Sequence, residues 1–215
     1  GNNASRQVID KASLANAVAG QFFSLWTAAG IPGAGSAPGA AANPTSATTG
    51  AFSFANQTAP ATSYLAWLAV QCSLSASNLE IHDRLAHMSG LSGTVTTSQG
   101  ALSLVTNSPG AARLGDANYS DVQWWLEIYT ALGATGVNAT VAVEYNDGAT
   151  GNLAAIALGA TPRAGRLYPL ISAVAGKFIR AVTGVTLSAT TGTAGNFGIT
   201  ATRSRTSVSA PLLNK

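Results

Sequence analysis

The chain has 215 residues, a length that suits one large β domain or one domain with an ordered arm. Only 9% of the residues are Asp, Glu, Lys or Arg, against roughly 25% in an average soluble domain, while 47% are apolar and 23 are glycine. So little charge favours a surface covered by partner proteins over a freestanding monomer with a Ser/Thr surface, and 11 cations against 8 carboxylates with no Lys/Arg run exclude a nucleic-acid groove.

The opening residues, Gly1 to Gln7, lack the basic-then-apolar plan of a signal peptide. No run approaches the roughly 20 apolar residues of a membrane-crossing helix, so no membrane partner is expected. Sequons occur at Asn3, Asn56, Asn118 and Asn138, and chance explains most of them, since about two or three are expected in so Ser/Thr-rich a chain. Residues 5–19 carry Val8, Ile9, Leu14 and Val18 around Asp10 and Lys11, the pattern of a short amphipathic helix or an arm, closed by Gly20. Phe22, Phe23 and Trp26 then form a compact apolar anchor. The stretch from Gly30 to Gly39 has too much proline and glycine for helix or central strand, so residues 27–62 read as an extended arm or a linker. Phe52 and Phe54, spaced for one face of a strand, suit a docked arm.

From residue 63 the pattern is strand, turn, strand. Residues 64–74 are long and apolar, as in a buried strand, and hold the lone Cys72, which rules out an internal disulfide and reads as a buried, inert thiol made in a reducing compartment. Residues 78–87 fit a strand or a short helix. Residues 122–132 are rich in aromatic and β-branched side chains, with Trp124 and Trp125 pointing to opposite faces. Residues 139–145 run into Asn146-Asp147-Gly148, a tight-turn signal, and then 153–158, which predicts a hairpin. Residues 167–171, 178–187 and 197–203 supply three more strands. The expectation is an all-β fold, an antiparallel β-sandwich or jelly roll with an extended N-terminal arm containing a short helix. Residues 1–62 form the arm, 63–203 the body and 204–215 a C-terminal tail. Arg203 and Arg205, followed only by Lys215, suit contact with an acidic neighbour.

Chemistry-bearing constellations are sparse. His82, Asp83 and His87 include two imidazoles and a carboxylate, the groups of a zinc or acid-base site. Their spacing opposes it: on a strand 82 and 87 point to opposite faces, and on a helix they lie about 140° apart. Ser89-Gly90-Leu91-Ser92-Gly93 lacks the leading glycine of a nucleophile elbow, and no glycine-rich segment continues into Lys-Ser or Lys-Thr. Asp116, Asp121 and Glu127 are the remaining carboxylates that could approach one another. No enzyme activity, metal, cofactor or small-molecule ligand is expected. The competing function is sugar recognition at a fibre or tail tip through Trp67, Trp124, Trp125 and Tyr129, although large aromatics serve cores and interfaces alike. The interface candidates are Phe22, Phe23, Trp26, Phe52, Phe54, Trp124 and Trp125.

Three strings, Leu85 to Thr94, Trp125 to Ala134 and Thr191 to Thr200, resemble in sequence and order a family of tailed-bacteriophage virion structural proteins. Ser24-Leu25-Trp26-Thr27-Ala28-Ala29-Gly30 and the Pro/Gly-rich stretch are similar too, so the resemblance runs from about residue 22 to 203. Ala86 stands where the family pattern has an aromatic. The resemblance implies a capsid decoration (cement) protein on the virion surface, made in the host cytoplasm. Its implied partners are the major capsid protein and copies of itself, as a trimer on local threefold positions.

Overall fold

The computed structural model describes residues 6–16, 18–53, 68–71 and 77–210. The protein is all-β with antiparallel sheets; the one helix among the described residues, α1 (Ala111–Leu114), is a single turn. One five-stranded sheet has the order β2 (Phe22–Phe23), β10 (Arg166–Leu170), β6 (Gln123–Thr130), β12 (Asn196–Ala210), β4 (Ser77–Leu91). The other runs β5 (Leu102–Ser103), β11 (Ile179–Leu187), β7 (Val137–Tyr145), β8 (Thr150–Asn152), with β9 (Ile156–Gly159) also on β7. A small third sheet pairs β1 (Asp10–Lys11) with β3 (Gly30–Ile31).

Burial follows side-chain parity. In β7, Val137, Ala139, Val141, Val143 and Tyr145 are buried while Asn138 and Thr140 are exposed, the alternation of a strand with one face inward. In β6 every residue from Trp124 to Tyr129 is buried, so both faces of that strand are covered. Trp124, Leu126 and Ile128 join an apolar cluster that also holds Phe197 and Ile199 of the same sheet and Val141, Val143, Val182 and Val185 of the other. Each such side chain contributes about 1.5–3 kcal/mol by leaving water. Trp124 adds a polar tie, its Nε1 donating to the Ile179 carbonyl on β11 at 2.8 Å.

The opposite, outer face of the five-stranded sheet is covered by the N-terminal segment. Ser24 and Trp26 lie over β4 and β6, and residues 37–43 run along the edge of β4. There Ser89 N donates to the Pro38 carbonyl at 2.6 Å, and Ala42 and His87 exchange backbone hydrogen bonds at 2.9 Å. Asn43 Nδ2 donates to the Leu85 and Asn107 carbonyls, both at 2.9 Å. An edge strand that would otherwise offer unpaired backbone to other chains is thereby paired over this half of its length. The Pro/Gly stretch has a local reason: Gly35 passes so close to the Trp26 indole that a Cβ there would sit 2.2 Å from ring carbon Cε2. Trp26 Nε1 in turn donates to the Ser36 carbonyl at 2.7 Å.

Several sequence expectations change. Residues 6–16 contain no helix; Asp10–Lys11 pairs with Gly30–Ile31 instead. Val8, Leu14 and Val18 are all exposed, so a helix would have had no apolar surface to bury its stripe against. Lys11 Nζ donates to the Leu25 carbonyl at 2.9 Å and the Trp26 carbonyl at 3.4 Å, which favours an extended path. Residues 204–210, expected in a tail, continue β12 along β4, past an irregularity between Ser204 and Thr206, as far as Ala210 opposite Ser77. The hairpin turn at Asn146-Asp147-Gly148 is present, but the chain returns at once as β8 before β9 pairs further along β7. The strand expected over 64–74 falls mostly outside the described residues, and 68–71 carry no strand.

Candidate functional site

The only large group of polar side chains in the described interior sits on the outer face of the five-stranded sheet. Arg84 on β4 meets Glu127 on β6 as a fork: Nη1 donates to Oε2 at 2.6 Å and Nη2 to Oε1 at 3.0 Å. The two side chains are 11% and 2% exposed. Thr200, on β12 between the two strands, donates to Glu127 Oε2 at 2.6 Å and accepts from Arg84 Nη1 at 3.2 Å. Tyr129 donates its hydroxyl to Glu127 Oε2 at 3.2 Å. Arg84 Nη2 reaches Ser24 Oγ at 3.1 Å, and the guanidinium lies 4.7 Å from the centroid of the Trp26 ring. His87 Nδ1 accepts from Arg84 Nη1 at 3.3 Å, with the Tyr129 hydroxyl also at 3.3 Å, while its ring meets Trp26 edge-on at 5.4 Å.

A bulge gathers these groups. Ala201 pairs with Ala86 and Thr202 with Arg84, so Leu85 is an extra residue in β4. Leu85 and Ala86 consequently both enter the apolar cluster, and Arg84 and His87 emerge on the same outer face. Strict alternation had set 82 and 87 on opposite faces. The bulge overturns that: His82 meets Trp125 edge-on at 6.4 Å, on the face that also holds Tyr129 and His87. The two histidines still serve separate neighbourhoods, since His82 Nε2 bonds Glu80 at 2.9 Å and its Nδ1 bonds Thr202 Oγ1 at 3.1 Å. Among the described residues no group of three or more His, Cys, Asp or Glu is arranged to hold a metal.

Electrostatics sets the protonation of the network. Burial pushes the Glu127 carboxyl up, but the Arg84 charge and hydrogen bonds from Arg84, Thr200 and Ser24 outweigh it and hold the group at about 2. Burial works against the Arg84 charge, and Glu127 more than restores it. Burial and the nearby Arg84 lower His87 to about 4, so at neutral pH its imidazole is uncharged. Burial and the Glu127 charge raise the Tyr129 hydroxyl above its ordinary range. Every buried side-chain nitrogen and oxygen among the described residues has a partner. A carboxylate held ionised, a guanidinium held charged and a phenol held protonated do not exchange protons near neutral pH. Their arrangement ties three strands and the N-terminal segment together.

Asp83 leads a second, more exposed cluster on β4, 20% exposed. Arg113 Nη2 meets its Oδ1 at 2.6 Å and Arg205 Nη2 its Oδ2 at 2.9 Å, while neighbouring Arg203 pairs with Asp121 at 3.0 Å. Burial acts to raise the Asp83 carboxyl, and the two arginines lower it on balance. Arg203 and Arg205, expected to face an acidic neighbour, are thus engaged within the chain. Asp116 bonds Ser120, and Glu127 is buried with Arg84, so the three carboxylates Asp116, Asp121 and Glu127 do not converge.

The interface candidates divide. Trp124 and Trp125, 2% and 7% exposed, are covered by the chain itself, which corrects their assignment to an interface or a sugar. Trp125 donates Nε1 to Thr202 Oγ1 at 2.9 Å beneath the Phe22 ring, because the N-terminal segment covers the face that parity had left open. Tyr129 is buried as well. Phe23, Trp26 and Phe52 are half-buried, Phe22 is 47% exposed, and Phe54, Trp67 and Cys72 lie outside the described residues. Of two recesses, the one beside Asn138 and Ser188 is lined by no titratable group, and the one beside Asn78 and Ser209 by Glu80 alone. No described helix is long and apolar enough to cross a membrane. Comparison of the chain with protein-family models, curated proteins and solved structures finds no match.

Proposed function

We propose that the chain is a non-enzymatic structural subunit of a tailed-phage virion, a decoration protein that bridges and stabilises neighbouring capsid subunits. In this reading the two five-stranded sheets form the layers of an antiparallel β-sandwich, and three copies sit at a local threefold position with the major capsid protein beneath them. The observation that carries the assembly role is the uneven exposure of apolar side chains. Of nine large apolar residues exposed among those described, five (Val8, Leu14, Val18, Phe22 and Ile31) fall within residues 8–31. A chain with 9% charged residues that also exposes apolar groups along one segment is suited to being covered. The resemblance noted in the sequence supplies the phage setting. The competing sugar-recognition reading gains no support from Trp124, Trp125 and Tyr129, which are buried.

The test is addition of purified chain to capsid shells that lack it, with mass measured in solution beforehand. A defined trimer that binds the shells and raises their melting temperature is expected. Val18→Ser with Ile31→Ser, at 51% and 56% exposure, should fold normally and bind at least about tenfold more weakly, since these exposed apolar side chains have no partner ring in the monomer to lose. A monomer indifferent to shells would sink the proposal.

A further inference from the structure

We infer that the edge formed by β1, β2, β3 and the start of β10 is a docking surface for an acidic, partly apolar face of a different protein. This rests on the assembly role proposed above and adds the chemistry of the partner. Arg6, Lys11, Arg163 and Arg166 belong to this edge or the residues just ahead of it, with Asp10 as the one carboxylate. Four cations against one carboxylate leave three positive charges, while the rest of the chain has seven cations and seven carboxylates, so these five residues account for the formal excess of +3. None of the four cations takes part in an ion pair among the described residues.

The edge is continuous. Arg166 pairs with Phe23 between β10 and β2, and its guanidinium lies 5.6 Å from the Phe23 ring centroid and 4.8 Å from that of Tyr168. The Arg163 carbonyl accepts from Arg166 N at 3.1 Å, closing the turn that carries Arg163, and Ser24 N donates to the Gly165 carbonyl at 2.7 Å. Lys11 joins β1 to the same segment through the Leu25 carbonyl. Leu14, Phe22 and Ile31, at 38%, 47% and 56% exposure, place apolar surface among the cations. Such a mixture fits a protein face with carboxylates around an apolar centre. Nucleic acid fits less well, since it rewards many phosphate contacts and not three charges interrupted by aliphatic groups. A second copy offers no matching face: of the seven other carboxylates, five hold Arg or Lys, Glu80 bonds His82 and Asp116 bonds Ser120.

The test titrates the full chain with a synthetic peptide of alternating Glu and Leu, followed by backbone NMR shifts, with single-stranded DNA and phosphatidylglycerol vesicles as comparisons. Shifts are expected at Lys11, Phe22, Arg163 and Arg166. Arg6→Gln with Arg163→Gln, both at exposed positions, should weaken the peptide about tenfold. Thr183→Glu with Ser207→Glu, exposed positions elsewhere that lower the net charge equally, should leave it unchanged. Shifts centred on Asp83 or absent, equal loss in both variants, tighter binding to DNA or vesicles, or self-association through this edge would each overturn the inference. Shell binding separates it from the decoration role. Shells that ignore the chain while the peptide binds this edge sink the role and keep the surface; shells that bind the Arg6→Gln, Arg163→Gln variant as tightly as the parent sink the surface and keep the role.

Discussion

At the scale of single residues, the Arg84–Glu127 fork should be more sensitive to losing one partner than to losing both. Glu127→Gln leaves a guanidinium buried without its counter-charge, and a loss of about 3–5 kcal/mol in urea unfolding is expected. Arg84→Met with Glu127→Leu removes both charges and should recover a large part of that loss. Acid acts on the same network in two steps. His87 has its folded value depressed to about 4 from 6.5, so as pH falls below 6.5 the unfolded chain takes up a proton that the folded chain refuses, and stability declines until about pH 4. Glu127, depressed to about 2 from 4.5, contributes stability above 4.5 that is lost as pH falls towards 2. Unfolding free energy measured from pH 7 to 4 should therefore fall, and His87→Gln should flatten that slope. The sequence held the individual groups but not their meeting. Alternation in residues 78–87 is readable; the extra Leu85 that turns Arg84 and His87 to one face is a backbone event with no residue signature, since neither glycine nor proline marks it.

At the scale of elements, β4 and β12 are held so close that one added methyl should disturb them. A Cβ on Gly198 would lie 1.9 Å from the Met88 carbonyl oxygen, at the irregularity where Phe197 pairs with Leu91 and Ile199 with Met88. Gly198→Ala is expected to lower the melting temperature by several degrees, whereas Gly192→Ala, which meets no atom within 4 Å, pays only for its positive φ. β6, β7, β10 and β11 were legible within a residue or two because aromatic and β-branched runs end at clear turns. The far half of β12 was not, since Ser204 to Ser209 is polar and mostly exposed and owes its strand form to pairing with β4, 120 or more positions away in the chain. β1 was missed for the same reason, and the sequence left the course of residues 27–43 open between a docked arm and a linker. Their form is set by the sheet they lie on and not by their own periodicity.

At the scale of the whole molecule, residues 22–44 belong to the folded body, and truncations should divide there. Removal of residues 1–9 is expected to leave cooperative unfolding intact. Removal of 1–44 uncovers Trp125, Tyr129 and the Arg84–Glu127 pair, and should yield a dye-binding, non-cooperative chain. Hydrogen exchange should rank the parts likewise, slowest in β6 and the half of β12 beside it, and fastest in residues 6–20. The candidate contact residues were less legible than the composition: parity places Trp124 and Trp125 on opposite faces of β6, and both are buried because the second sheet covers one face and the N-terminal segment the other.

The position of β12 in the chain has a consequence for synthesis. β4 and β6 do not pair with each other; β12 lies between them and follows both in the chain. The face that receives Ser24 and Trp26 is therefore incomplete until residues near 200 have left the ribosome. The part of the chain made early waits for the part made late, and during that wait Phe22, Phe23 and Trp26 are open to whatever else is nearby. A nascent chain halted at residue 190 should be held by a chaperone or cut by a protease near residue 30, and one released past residue 210 should not.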